Sequence, residues 1–142
     1  MNISLKKKKP TIALISSSIL ASMSLLLPWV QSTLGTSENG FSQILNPLSL
    51  IVLTSSIAAI ASTVLYLYID KKVWRITSGV VTLIGSLAIV GMSLLTIAGM
   101  KLLFPDGGIW SVGYGGFVAT GLGVLMFYFA IVHLKKAVNS TR

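Results

Sequence analysis

The sequence predicts an all-α membrane protein: a compact bundle of four transmembrane helices with both termini in the cytoplasm. Three observations lead to this prediction. The chain of 142 residues is 54% hydrophobic and 10% charged, whereas a soluble domain carries about 25% charged residues. Its apolar residues form long runs, and its cations cluster between those runs. With a mean hydropathy of +0.87, the chain fits neither a cytosolic enzyme, a nucleic-acid-binding domain nor a secreted mini-protein.

Four apolar segments are each long enough to cross a bilayer, whose hydrocarbon core of about 30 Å needs roughly 20 helical residues. They run from about 11 to 30, 48 to 69, 76 to 100 and 112 to 134, and none contains Lys, Arg, Asp or Glu. Backbone groups in hydrocarbon must bond within their own segment, so runs of this length predict helices. We therefore predict a single four-helix transmembrane domain over residues 1–142.

The first span follows four lysines at positions 6–9, a pattern that also introduces cleavable signal peptides. Its apolar run is longer than the usual ~7 to 15 residues of a signal peptide. Because Ser22-Met23-Ser24 is also a poor cleavage site, we favour a membrane-spanning helix over a cleaved leader.

The connections between spans on the outer side are short, which predicts plain linkers rather than folded recognition domains. Residues 31–46 are rich in Ser, Thr, Gly and Asn, with a turn expected at 37–40. Pro47 suits the first turn of the second helix, where its missing N–H has no cost. The last two spans are joined by a shorter connection with an Asp106-Gly107-Gly108 turn. An extracellular binding role for these segments stays open.

The positions of the cations predict the orientation. Four lysines precede the first span, three cations join the second and third, and three follow the fourth, against Lys101 alone on the other side. The positive-inside rule then places both termini in the cytoplasm of a multi-pass cell-membrane protein. Binding of anionic lipid or a partner by these cations stays open. Nucleic acid is excluded as a partner, because its readers carry a basic stripe or patch.

Residues at the span ends predict anchors in the membrane interface, where amphipathic rings and long basic side chains are favoured. Trp29, Lys101 and Trp110 fall at the outer ends, and Trp74 falls at the inner end. Lys101 is also close in sequence to Asp106.

Small residues predict the faces on which the helices pack, because lipid gives helices no hydrophobic reason to associate. The candidates are Ala13, Ser17 and Ala21 in the first span, Ser55, Ala59 and Thr63 in the second, Gly85 and Ala88 in the third, with Gly91 and Gly99 eight apart, and Gly115, Ala119 and Gly123 in the fourth. The hydroxyls of the first two spans could line a polar path, but we favour bonds to a carbonyl one turn back in the same helix or to a neighbouring helix.

The sequence predicts no catalytic residue, cofactor or metal site. Glu38, Asp70 and Asp106 are the only carboxylates and fall on two sides of the membrane. His133, the only histidine, is expected as a polar residue at the inner interface. A serine nucleophile needs a base within reach, and none is expected.

The layout resembles small bacterial four-span membrane proteins of the tryptophan-associated transmembrane type. The resemblance is carried by Leu27-Pro28-Trp29, by Gly40 with Asn46-Pro47-Leu48, and by Gly107-Gly108-Ile109-Trp110 leading into Gly113-Tyr114-Gly115. It covers topology over most of the chain and implies no activity.

Two other families are similar in helix number. Claudin-like tetraspan proteins share Trp29 and the position of the termini, but their extracellular cysteines are missing here and the first outer loop is shorter than their extracellular sheet requires. Small multidrug resistance transporters carry an acid in the first helix, which has no counterpart in residues 11–30. That departure counts against proton-coupled export.

We therefore predict a non-enzymatic integral membrane protein of the bacterial cytoplasmic membrane, acting as an accessory or scaffold subunit of a membrane assembly. Its expected partners are the lipid bilayer and another membrane protein or a second copy of itself. The alternatives are a small solute or ion conduit and an immunity-type protein against a membrane-active peptide.

Overall fold

The structure, a computed structural model, describes residues 5–32, 34, 37–39, 47–69, 71–103 and 110–139. Most of this part is helical, in the elements α1 (Leu5–Met23), α2 (Pro47–Ile69), α3 (Lys72–Leu103) and α4 (Tyr114–Asn139). All four are long and apolar enough to cross a membrane. The prediction of an all-α bundle of four spans is confirmed, and the chain is a polytopic membrane protein.

The helix ends differ from the predicted spans where proline and lysine occur. α1 ends at Met23 and continues only as a 3-10 turn, Ser24–Leu26, instead of reaching residue 30. The cause is Pro28, because the residue before a proline avoids the helical conformation, and Leu27 has φ −80° and ψ 155°. α3 extends beyond its predicted span at both ends and α4 at its C-terminal end, since lysine propagates a helix well. α4 begins at Tyr114 instead of 112, because Val112 belongs to a strand.

The helices form a ring in which α1 contacts α2 and α4, and α3 contacts the same two neighbours. Neighbours run antiparallel, so the bundle has two chemically different ends. The exposed lysines of helices and link, Lys9, Lys71, Lys72, Lys135 and Lys136, share one end, which we call the basic end. The other end carries a small sheet, and we call it the sheet end.

The sheet has three antiparallel strands, β1 (Pro28–Ser32), β2 (Ser37–Asn39) and β3 (Trp110–Val112), in the order β2-β1-β3. Val30 of β1 pairs with Glu38 of β2 on one side and with Val112 of β3 on the other. The expected turn at 37–40 is wrong for residues 37–39, which form a strand. Strands of three residues are too short to show a period in the sequence.

The interior of the bundle combines large apolar side chains such as Leu14, Ile89 and Met126 with many small and polar residues. Its buried polar residues are Thr11, Ser17, Ser18, Ser24, Ser49, Ser56, Ser62, Thr63, Ser78, Thr82, Ser86, Ser93 and His133. Other large apolar side chains, such as Ile84, Leu95 and Leu102, lie exposed. A soluble bundle would hide these side chains from water, so this distribution fits a bundle whose outer surface contacts lipid.

Candidate functional site: the small-residue seam and the His133 cluster

Buried residues follow one another along α4 at alternating spacings of three and four. This seam consists of Gly116, Ala119, Gly123, Met126, Ala130, His133 and Ala137. The spacing is that of left-handed packing between antiparallel helices, in which one stripe faces the partner. All its members except Met126 and His133 are glycine or alanine, which lets α3 approach the backbone of α4 closely.

Three glycines show how close the helices lie. A methyl group at Gly79 of α3 would lie 2.6 Å from the side chain of Leu134, and one at Gly123 would lie 2.7 Å from that of Val90. A methyl group at Gly85 would lie 3.2 Å from a backbone carbonyl oxygen of α2. A side chain at Gly79 or Gly123 would therefore require Leu134 or Val90 to move, and one at Gly85 would require α2 and α3 to adjust slightly.

Most of the predicted packing residues are buried. The buried ones are Ser17, Ala21, Ala59, Thr63, Gly85, Gly115, Ala119 and Gly123, whereas Ala13, Ser55 and Ala88 are half-buried. Residues spaced strictly four apart do not stay on one face of a helix, because a turn has 3.6 residues. The buried face of α1 instead has alternating spacings of four and three residues, at Leu14, Ser18, Ala21 and Leu25. Gly91 and Gly99 face open space, with no atom of another element within 4 Å of a methyl group built there.

The hydroxyls inside the bundle bond to their own helices. Ser17 and Ser18 both donate to the carbonyl oxygen of Leu14, at 3.0 and 2.9 Å, and Thr63 donates to that of Ala59 at 2.7 Å. α3 repeats the pattern at Thr82, Ser86 and Ser93. The favoured interpretation of the hydroxyls in the first two spans is confirmed at Ser17, Ser18 and Thr63. The Ser56 hydroxyl differs, since its oxygen is buried and has no hydrogen-bond partner among the described residues.

Trp29 joins the sheet to the bundle. Its side chain is 2% exposed, and its indole Nε1 donates to the carbonyl oxygen of Ser24 at 2.9 Å. Its own carbonyl oxygen accepts from the N–H of Gly113 at 2.8 Å. A methyl group at Gly115 would lie 2.9 Å from its Nε1. These are the surroundings of a packed core residue and differ from the exposed setting expected of an interface anchor.

The other predicted anchors lie near helix or strand ends. Trp74 is half-buried in the first turn of α3, and Lys101 is exposed in its last turn. Trp110 begins β3, but its side chain lies outside the described part of the chain, as does Asp106.

His133 is the centre of a polar cluster at the basic end. It is fully buried, and its Nε2 lies 3.1 Å from the Oγ of Ser78. The Tyr66 ring contacts it edge-on, with 5.4 Å between ring centroids. The Arg75 Cζ lies 5.7 Å from the centroid of the same Tyr66 ring. His133 lies near the end of α4 at the basic end. Its side chain is buried on the seam between Ala130 and Ala137.

The hydrogen bonds assign the protons of a neutral His133. Ser78 Oγ donates its single proton to the Arg75 carbonyl oxygen at 3.0 Å, so it accepts from Nε2–H of the imidazole. Nδ1 of His133 then carries a lone pair. That nitrogen and Nε of Arg75, a donor, are both buried without a hydrogen-bond partner in the described part of the protein.

The pairing of Ser78 with His133 was not predicted, and the expectation that no serine has a base within reach is wrong. The two residues are 55 positions apart in the chain, and the only signal in the sequence is that His133 shares the spacing of the seam. Both side chains are fully buried, and the Ser78 proton points to a backbone carbonyl. The contact between Ser78 and His133 thus stabilises the packing of α3 against α4. Within the described ranges, no three His, Asp or Glu side chains come together to hold a metal ion.

Comparison with protein-family models finds no match for this chain, and comparison with curated proteins finds none either.

Proposed function

We propose that this chain is a non-enzymatic accessory or scaffold subunit of a larger assembly in the bacterial cytoplasmic membrane, with both termini inside. Two features support the proposal. The residues inside the bundle make contacts and hydrogen bonds that hold its own helices together. The outward face of α3 provides a surface on which another helix can pack.

The interior supports a structural role because its polar groups have local partners. Buried hydroxyls donate to carbonyls of their own helices, and glycines bring neighbouring helices into contact. Ser78 and His133, the described pair with the chemistry of a nucleophile and a base, bond each other inside the seam. The two atoms that such chemistry would use, Ser78 Oγ and His133 Nε2, are thus already paired with each other.

The outward stripe of α3 is the observation that carries the proposal. It follows the exposed and half-buried residues Val80, Ile84, Leu87, Gly91, Leu95, Ala98 and Leu102. Gly91 meets no atom of another element, although glycine in a helix interior costs about 1 kcal/mol relative to alanine. Small residues on one face of a helix let a second helix approach closely in lipid, and Gly91 and Ala98 lie two turns apart on this stripe.

The test uses the absence of cysteine from the chain, which makes single-cysteine variants free of background. Leu95→Cys places a thiol on the stripe, and Ile57→Cys places one on the outward face of α2 as the matched control. The two positions are similarly exposed, at 60% for Leu95 and 54% for Ile57. Cells are treated with a thiol-reactive crosslinker, and the chain is purified in mild detergent and analysed by mass spectrometry.

We expect Leu95→Cys to crosslink to a larger membrane protein and Ile57→Cys to give no such product. A product of twice the mass of the chain would identify the partner as a second copy. Recovery of the uncrosslinked chain from both variants would overturn the proposal.

The conduit alternative expects a polar path along α1 and α2. Ser17 instead donates to the carbonyl oxygen of Leu14. A methyl group built at Gly85 would lie 3.2 Å from the carbonyl oxygen of Ser55, so both residues favour packing. Loss of solute flux into liposomes in a Ser17→Leu variant would reverse that preference. The immunity hypothesis rests on size and basic charge and stays a prediction.

A further inference from the structure

The basic end contains two buried polar atoms of complementary chemistry. Nε–H of Arg75 is a donor and Nδ1 of His133 is an acceptor, and neither has a partner in the described part of the chain. Both side chains contact the ring of Tyr66. His133 is fully buried, and proteins pair such buried atoms with protein, water or a ligand. A group that both accepts and donates hydrogen bonds would satisfy the two.

The surroundings of these atoms are positively charged. Arg75 lies in the first turn of α3, whose N-terminus adds a partial positive charge. The charged side chains that the structure describes at this end are all cations, namely Lys9, Lys71, Lys72, Arg75, Lys135 and Lys136, and Asp70 lies outside the described residues. An anion is therefore the favoured ligand.

We expect Tyr66 and Arg75 to lie at the level of the lipid headgroups and His133 a few ångströms deeper. His133 is less than two turns from the end of α4 at Asn139, about 9 Å along the helix axis. Tyr66 and Arg75 are within one turn of the adjoining ends of α2 and α3. The polar layer occupies roughly 5 to 7 Å on each side of the hydrocarbon core, which is where lipid phosphates lie.

We propose that Arg75, Tyr66 and His133 form a specific site for an anionic phospholipid headgroup that carries a neutral hydroxyl, the chemistry of phosphatidylglycerol. The phosphate oxygens accept hydrogen bonds from the Arg75 guanidinium, and the hydroxyl donates to Nδ1 of His133. An ammonium-bearing headgroup is disfavoured, because its cation would lie beside Arg75. The site goes beyond the accessory role and does not depend on it.

The test measures lipid retained by the full chain after extraction from vesicles, by native mass spectrometry. The vesicles contain phosphatidylcholine with either phosphatidylglycerol or phosphatidylserine. We expect the chain to retain phosphatidylglycerol in preference to both other lipids. Arg75→Lys keeps the charge at this half-buried position but lacks the Nε donor and the planar guanidinium. We expect it to reduce lipid retention about tenfold.

A second variant tests the hydrogen bond between the headgroup hydroxyl of the lipid and His133. His133→Leu removes the acceptor, so we expect the preference for phosphatidylglycerol over phosphatidylserine to disappear while anionic lipid is still retained. If this variant does not fold, Arg75→Lys alone decides the outcome, with thermal unfolding as the check that it is folded.

Two controls separate the site from general electrostatic attraction and from a soluble ligand. Lys71→Gln removes one charge at the same end, and Lys101→Gln removes one at the sheet end. If Arg75→Lys retains lipid as the unmodified chain does, or if Lys71→Gln lowers retention as strongly, the attraction is diffuse and the proposal fails. Displacement of the lipid by inorganic phosphate or glycerol phosphate would also overturn it, because the ligand would then be a soluble phosphate.

Discussion

Individual glycines determine where this bundle is tightly packed. A methyl group at Gly115 would lie 2.8 Å from the carbonyl oxygen of Pro28, whereas one at Gly121 on the same helix would meet no atom within 4 Å. The sequence cannot distinguish these two positions, since both are glycines in one apolar run. The two positions differ because Trp29 packs against the face of α4 that carries Gly115.

This contrast predicts opposite effects of the same substitution. We expect Gly115→Ala to destabilise the protein by about 1 to 3 kcal/mol, the usual range for overpacking. We expect Gly121→Ala to stabilise it by up to about 1 kcal/mol, because alanine is the better helix former. Unfolding in detergent micelles, followed by circular dichroism, measures both. Equal shifts of the two variants would show that the close approach at Gly115 is not present.

His133 and Trp29 show the limit of predicting from the chemistry of a side chain. Both were expected at the membrane interface because amphipathic rings favour it, and both are buried. His133 is buried by its place in the spacing of the α4 seam, which is visible in the sequence afterwards. Trp29 is buried by its contacts with Ser24 and Gly115, which the sequence does not reveal.

At the scale of elements, the helices were predictable and the strands were not. A span must supply its own hydrogen bonds over about 20 residues, so length and hydropathy suffice to locate it. Strands of three to five residues depend on partners from other parts of the chain, and β1 pairs with β3 from the far side of two helices. The end of the first helix before Leu27 could nonetheless have been predicted from Pro28, because the residue before a proline avoids the helical conformation.

The register of the sheet predicts a specific crosslink. Val30 and Val112 are paired directly across β1 and β3, at the Cα separation of antiparallel neighbours, about 4.5 to 5.5 Å, which a disulfide can span. We expect the double variant Val30→Cys with Val112→Cys to form a disulfide under mild oxidation, seen as loss of two maleimide-reactive thiols. In the control, Gln31→Cys with Val112→Cys, the side chains point to opposite faces, and both thiols should stay reactive. Equal reactivity in the two pairs would contradict the register.

At the scale of the whole molecule, the clustering of lysines at one end predicts its orientation in the membrane. Leu34 follows β1 at the sheet end and is 81% exposed, and Lys135 is exposed at the basic end. In intact cells, a membrane-impermeant maleimide should label Leu34→Cys, whereas Lys135→Cys should react only after permeabilisation, because cationic segments stay in the cytoplasm. Labelling of Lys135→Cys alone in intact cells would invert the topology.

The sequence by itself determined the medium and the number of crossings, because both depend on the length and composition of single segments. It also indicated that small residues would pack the helices, since lipid leaves few other means. Only the tertiary structure decided which small residues face a neighbour, that three short strands close the sheet end, and that Ser78, His133, Arg75 and Tyr66 meet at the basic end. These features join residues far apart in the chain, and their positions depend on the rotation of each helix about its own axis.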